Sequence, residues 1–462
     1  MKRIVYLTLT ATLCLSSCGI YNKYERPENV NTNGLYRDTA TVNGTLASSD
    51  TTTLGSTPWR EVFTDPCLQA LIDSALANNT DLRSAALSVE QAKAMLTSAR
   101  LAYLPSFTFS PTGTLSSWNK EKASQIYSLP IAASWQLDLF GSLTNAKRAQ
   151  QMAYLQSQDY QRAVQSGIVS SVANLYYSIL MLDKQLEITK EMEILTKQTY
   201  DLMVKQKALA ATDESAVMSA KANYYSVLAS IPEIERQIRE AENSLSLLLC
   251  ETPQTIKRGK LEEQQLPDKF SVGIPVQVLS NRPDVHANEM ALAQCFYNVN
   301  KARSAFYPNI SITGSAAWTN NSGAGIVNPG KLLASAVGSL VQPIFMKGQL
   351  VAQLKVAKAQ QEQAFLTWQQ SVLKAGSEVS NALVLYQSSA KRSSYEAVQI
   401  ESLQRNVDVA EKMFKMSQNG NYLNVITAQQ SLLQAQLSKV ADDFNKMQAV
   451  VNLYNALGGG DK

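Results

Sequence analysis

One histidine, His286, stands in 462 residues, and no GxGxxG, GxxxxGK[ST], CxxC or HExxH spacing occurs anywhere. A His-ligated metal centre needs more imidazole than this chain holds, and a Ser-His or Cys-His catalytic pair would have to rest on His286 alone. Without a glycine-rich phosphate loop there is no nucleotide cradle either. Charge is also scarce, at 17% of residues against roughly 25% in an ordinary soluble domain. The net charge is +4 and the 42 basic residues are scattered, so no clustered basic face offers itself to nucleic acid. The acidic pairs Glu262-Glu263 and Asp442-Asp443 are adjacent, so their side chains diverge and read as solvated. His286, two residues after Asp284, reads as a helix-surface residue. No enzyme and no cofactor is expected.

The N-terminus carries an address. Lys2 and Arg3 precede the apolar run Ile4 to Leu15, a secretory pattern too short to span a bilayer as a helix. It ends Leu15-Ser16-Ser17-Cys18, which resembles a bacterial lipobox. This predicts a signal peptide over 1–17 and acylation of Cys18, with several acyl chains at ~0.8 kcal/mol per buried CH₂ giving a stable anchor. The remaining Cys67, Cys250 and Cys295 are odd in number and far apart, which is not a disulfide framework.

Residues 18–58, rich in Asn, Thr, Ser and Gly, read as a lipidated linker. Prolines are absent from 131–231 and from 344–462, so long helices are expected there. Gly348 to Gly420 encloses about 70 residues, on the order of 100 Å of helix. Ile168, Val172, Leu175, Ile179, Leu182 and Leu186 step by four and three, as do residues from Leu433 to Tyr454, the spacing of a coiled-coil seam. Pro232 falls inside a predicted helix and is expected to kink it.

The chain repeats itself. Asn78, Asp81, Arg100 and Pro105 recur 203 residues later as Asn281, Asp284, Arg303 and Pro308. Phe140 matches Phe345 at 205, Gly141 matches Gly348 at 207, and Val217 matches Val425 at 208. An ordered series with a slowly drifting offset is the mark of two structural repeats. Each repeat holds a strand pair. Phe107, Phe109 and Leu115 alternate with Thr and Ser, and Tyr127 to Leu139 alternate with Ser128 to Asp138. Ile310 and Ile312 alternate with Ser311 and Thr313, whereas alternation near 332–344 is weak. The strands fit a membrane barrel with a wet lumen, and they fit a half-buried soluble hairpin equally well. Four strands cannot close a barrel, since the smallest membrane barrels have about eight, and lipid does not tolerate open edges. A membrane reading therefore requires several copies of the chain.

The order of lipobox followed by helix, hairpin, long helix, turn and helix, occurring twice, resembles a known family. It comes with Tyr103-Leu104-Pro105, Asp138-Leu139-Phe140-Gly141, Asn281-Arg282-Pro283-Asp284, Pro343-Ile344-Phe345, Ala428-Gln429 and Leu457-Gly458. Together these are similar to the TolC-like outer-membrane efflux factors, in their lipoprotein (NodT-type) branch. Cys250, standing where the second repeat has Gly458, and Asn288 depart from that pattern. The resemblance implies a mainly α fold with a small β part: long antiparallel helices forming a periplasmic tube, and four strands per chain in a homotrimeric, twelve-stranded outer-membrane barrel. It assigns 59–250 to a first repeat with strands about 104–139, 251–280 to a linker, and 281–462 to a second repeat with strands about 308–344.

The expected function is the passive exit duct of a tripartite efflux system, joined by a periplasmic adaptor to an inner-membrane pump, of the resistance-nodulation-division type, and exporting drugs or other small toxic compounds. The alternatives are type I protein secretion and a periplasmic coiled-coil scaffold. The resemblance also places the turns near Asp213 and Gly420 at the periplasmic tip; the residues themselves read as local capping, with Gly420 a helix C-cap and Thr212 an N-cap followed by Asp213 and Glu214, which favour the helix dipole. It aligns a constriction with Leu423 and, one turn later, Thr427, which stands where the family often has an aspartate. Closure is expected to be helped by Lys412 or Lys415 pairing with Asp213 or Glu214 of an adjacent hairpin.

Overall fold

The structure, a computed structural model, describes residues 21–27, 54–117, 119, 123–267, 282–319, 331–416 and 422–460. The signal peptide, Cys18, most of the 18–58 linker, Asn281, the turn holding Gly420 and the second half of the 251–280 linker lie outside them, as does the Lys415 side chain. The chain divides into two compact units.

The first unit (Met1–Val30, Leu87–Asp159 and Ala287–Gln370) contains the sheet. Its strands are β1 (Ser106–Phe109), β2 (Thr112–Ser116), β3 (Ser124–Leu137), β4 (Asn309–Thr319) and β5 (Lys331–Val341). All pairings are antiparallel, with β3 between β1/β2 and β4, and β4 between β3 and β5. β1 and β2 are one strand in one register, Phe109 facing Ile131 and Thr112 facing Ser128. It is interrupted where the Ser110 N–H donates to Pro130 O at 3.3 Å, because proline has no N–H to return. Five segments thus make the four strands expected. β3 ends two residues earlier than its alternation suggests. Asp138 leaves the strand and accepts hydrogen bonds from the N–H groups of Leu143 (2.8 Å) and Thr144 (2.7 Å) and from the Thr144 hydroxyl (2.6 Å). It caps the following helix rather than facing across the sheet.

The second unit (Asn31–Ala86, Tyr160–His286 and Ser371–Lys462) is helical. The short helices α1 (Trp59–Val62) and α2 (Pro66–Asn78) precede α3 (Thr80–Leu101), α4 (Ser142–Ala208) and α5 (Glu214–Leu248). The second repeat supplies α6 (Pro283–Ser304), α7 (Gln349–Met416) and α8 (Tyr422–Ala456). α3, α4, α6 and α7 contribute residues to both units. α4 spans 67 residues and α7 spans 68, as the proline-free stretches require. α5 is one helix through Pro232. The seam residues are the core: Val172, Ile179, Val451 and Tyr454 have no exposed surface, and Phe63 from the α1 end packs edge-on against Tyr454. After α5 the chain turns at Cys250 with φ of 57°, where the second repeat uses Gly458 at 84°. That left-handed conformation favours glycine.

Polar hubs bind the helices. The Asp65 carboxylate caps α2 through the Cys67 N–H (2.7 Å) and accepts from the Tyr176 hydroxyl (2.5 Å) and Gln264 (2.7 Å). Burial alone pushes this carboxyl up, but those hydrogen bonds and the backbone hold it below the usual carboxylate range. Arg258 grips Asp183 (2.5 and 2.9 Å) and pairs with Glu242. The adjacent acids are not simply solvated. Glu262 pairs with Lys184 at 2.6 Å. Asp442 is 1% exposed, 2.9 Å from Arg392 and beside Glu396. Burial first, then the Asp442 charge, pushes the Glu396 carboxyl up.

These shifts have opposite signs in stability. A carboxyl lowered by folding stabilises above its unfolded pKa, and that contribution is lost as pH falls through its folded value. One raised by folding contributes below its unfolded pKa and loses that contribution as pH rises through its folded value. Asp65→Asn should therefore destabilise at neutral pH, with the gap to wild type closing in acid. Glu396→Gln should stabilise at neutral pH and approach wild type in acid. Denaturant midpoints of the detergent-solubilised protein from pH 4 to 8 check both; parallel curves for wild type and either variant would contradict the assignment.

Candidate functional site

The sheet has two chemically different faces. In β1 and β2, Phe107, Phe109 and Leu115 lie on the face carrying Leu129, Ile131, Trp135 and Leu137 of β3. Trp135 faces Ile312 and Leu129 faces Trp318 on β4, continuing to Leu332 on β5. These side chains are exposed: Phe107 at 71%, Phe109 at 62%, Trp318 at 43%. The opposite face is mainly hydroxylated, with Ser311 bonded to Ser339 at 2.7 Å and Ser315 to Ser335 at 2.8 Å. A contiguous apolar face of this extent is a liability in water and matches a lipid-facing barrel wall with a polar interior. The Trp135 indole N–H has its own partner, the Tyr103 carbonyl at 2.9 Å. Among the described residues, no helix is long and apolar enough to cross a membrane.

Close to the predicted lipid anchor, a segment read from sequence as linker is a docked strap. The Tyr24 N–H donates to the Tyr297 hydroxyl at 3.3 Å, and its ring meets Phe296 edge-on at 5.9 Å. Arg26 holds buried Glu289 through two hydrogen bonds of 2.8 and 2.5 Å. The partners lie more than 260 residues away, so only the aromatic and basic character of Tyr21-Tyr24-Arg26 hints at it in sequence. The Arg282-Pro283-Asp284 stretch is a structural clamp. Arg282 joins Asp284 (2.6 Å), Glu378 (2.7 Å) and the Ala456 carbonyl (3.2 Å), tying α6 to α7 and to the end of α8.

The expected gate residues gather around one end of the helices. Leu423, 54% exposed, and Thr427 lie one turn apart on the outer face of α8. Its inner face buries Val425 and Ile426 against Met203, Val217 and Phe414. Asp213, rather than Thr212, is the N-cap of α5, accepting the Ala216 N–H at 2.8 Å. Glu214 pairs with Lys207 of its own hairpin, and Lys412 is exposed on α7. Within one chain, then, Asp213 and Glu214 are engaged locally, by the Ala216 N–H and by Lys207. Among the described residues no cluster of His, Cys, Asp and Glu suits a metal.

Comparison with known proteins agrees with this architecture. The model of the outer membrane efflux protein family matches residues 71–251 and 274–459. The cation efflux system protein CusC of Escherichia coli (strain K12) is 29% identical over 463 residues, covering 98% of this chain and 99% of its own. The "Probable outer membrane lipoprotein SilC" of Salmonella typhimurium is 30% identical over 411 residues, covering 87% and 88%. The open state of the Neisseria gonorrhoeae MtrE outer membrane channel superposes with a TM-score of 0.85 at 25% identity, covering 96% of this chain and 99% of that one. With a two-faced sheet, long paired helices and a family match over most of its length, the chain belongs to the outer membrane efflux protein family and is an outer-membrane efflux channel.

Proposed function

We propose that three copies of this chain close one barrel and form the passive exit duct of a tripartite system, joined through a periplasmic adaptor to an inner-membrane pump of the resistance-nodulation-division type, which exports small toxic compounds. The chain supplies conduit and no reaction of its own. The observation that carries the reading is the sheet: apolar on one face, hydroxylated on the other, and paired on only one side at each of its two edge strands. A periplasmic scaffold has no use for such a surface. Small cargo is favoured over secreted protein by the cation efflux named for CusC. The lipid anchor points the same way. In this reading 59–250 and 281–462 are two equivalent repeats joined by 251–280.

Barrel placement is tested on β3. Leu137 lies on the apolar face and Gln136 on the other. A basic residue on the lipid face costs about 2–4 kcal/mol at mid-bilayer and about 0–1 near the interfaces, so Leu137→Arg, at the strand's end, should reduce heat-modifiable oligomer in outer membranes more than Gln136→Arg. The reverse order would place the sheet the other way round.

The anchor is tested at Cys18. Metabolic labelling with a fatty-acid analogue should mark wild type and not Cys18→Ala, while oligomers persist, since barrel closure holds the subunits together. Equal labelling would remove the anchor.

Conduction is tested at the tip. Symmetry turns the exposed Leu423 into an apolar ring at the closed end, with the Lys412 or Lys415 to Asp213 or Glu214 pairs formed between neighbours. Leu423→Ser should raise single-channel conductance in planar bilayers several-fold. Unchanged conductance with intact oligomers would remove Leu423 from the gate.

A further inference from the structure

Resting on the barrel reading above, we propose that a basic collar just below the sheet, with Lys147, Arg148 and Arg303 on its outer side, binds the anionic headgroups of phospholipids in the leaflet on the helix side. Four helices adjoin the sheet: α3 ends before β1, α4 starts after β3, α6 ends before β4 and α7 starts after β5. All four meet it at the same end, where Ser106 faces Ser134 and Asn309 faces Val341. Over 91–105, 138–158, 290–308 and 342–361, the stretches that reach that end, the sequence holds nine basic residues and one acid, Asp138. The next acids are Glu90, Asp159, Glu289 and Glu362, so each helix runs roughly 15–25 Å from the sheet before it meets a carboxylate. Scattered in sequence, these cations share one level because each lies near a strand end.

The protein holds little counter-charge at this level. The Asp138 carboxylate is occupied in capping α4. Lys147 lies over the Tyr103 ring at 5.1 Å and Arg148 over the Tyr297 ring at 5.8 Å. Among the described residues, neither they nor Arg303 forms a salt bridge. A second copy brings no further carboxylate, because its helices carry the same sequence. The balancing charge therefore comes from outside the protein. Where an apolar face gives way to cations, the phosphate layer of a bilayer supplies it.

Contacts to the apolar face and to the strap set the outer side. Tyr103, whose ring carries Lys147, accepts the Trp135 indole N–H through its carbonyl, and Trp135 belongs to the apolar face. Tyr297, under Arg148, accepts the Tyr24 N–H of the strap. Tyr21 lies close to Arg303 and against Gly141, where a methyl group would stand 3.3 Å from its ring. Cys18 is three residues from Tyr21, a reach of about 10 Å, so the expected acyl chains enter lipid beside Arg148 and Arg303. Phe140 stacks on Tyr307 with ring centroids 5.1 Å apart. With Tyr103 they place aromatic rings between the apolar face and the cations, the order of a membrane interface.

Fluorescence quenching by brominated phospholipids tests the collar on the whole protein in vesicles, since Trp135 and Trp318 stand on the apolar face. In mixtures of phosphatidylglycerol and phosphatidylcholine, brominated one at a time, wild type should select phosphatidylglycerol several-fold, and less so at high salt. The combined variant Lys147→Gln, Arg148→Gln and Arg303→Gln should bring the ratio near unity. Lys197→Gln, Lys221→Gln and Arg239→Gln together remove as much charge from exposed positions of α4 and α5 outside the collar, and should leave the ratio unchanged. If the collar variant does not assemble, Arg303→Gln alone should lower the ratio, while Arg148→Lys with Arg303→Lys, which keeps the charge, should preserve it. A wild type without preference, a collar variant as selective as wild type, or an equal loss in the control overturns the proposal. So does selection that inorganic phosphate erases and chloride of the same ionic strength does not, which would make the collar a site for free phosphate. A wild type quenched by neither lipid would instead remove the barrel reading.

Discussion

A strand in hydrocarbon has nowhere to place its backbone N–H and C=O groups except on another strand. That constraint governs this protein. Four strands expose an apolar face suited to lipid, yet among the described residues β5 and the interrupted β1/β2 are each paired on one side of the ladder only. The chain is an unfinished wall. Oligomerisation is therefore the condition for the sheet to sit in a bilayer, and the hydroxyl face becomes a lumen only once the wall closes. In the proposed assembly the duct arises from closure.

The helical unit answers a different problem. Long helices with narrow apolar seams gain little stability from any one crossing, and here short segments bolt them together. Asp65 links the start of α2 to Tyr176 of α4 and to the chain after α5. Arg282 draws α6, α7 and the end of α8 to one guanidinium. Arg282 is a charge removed from water and Asp65 a partly buried one, and such groups fold well only when their partners are present. They specify one alignment of the helices along their axes, which a sliding apolar seam alone would leave undetermined.

Features written as local periodicity were legible in the sequence: the proline-free helices, the heptad seams, the alternating strands and the repeat. Contacts between distant residues were not. Nothing near Arg26 announces Glu289, and nothing near Asp442 announces burial beside Glu396. Period-2 alternation carried the reading of β3 past its end, because Asp138 keeps the pattern while its carboxylate turns to cap α4. At the α5 start two capping residues stood side by side, and the hydrogen bond chose Asp213 over Thr212. The gate positions rest on family resemblance, because a ring exists only in the assembly.

The duplication also shapes how this channel comes into being. The β3–β4 junction between its two hairpins is intramolecular, so β3 meets β4 without a second copy of the chain. Each outer junction must be found by diffusion among dilute copies. Until then the newly exported chain presents two bare strand edges and an oily face to the periplasm, the condition that invites aggregation. Biogenesis is thus a race between ring closure and misassociation, and the internal repeat halves the number of encounters that race requires.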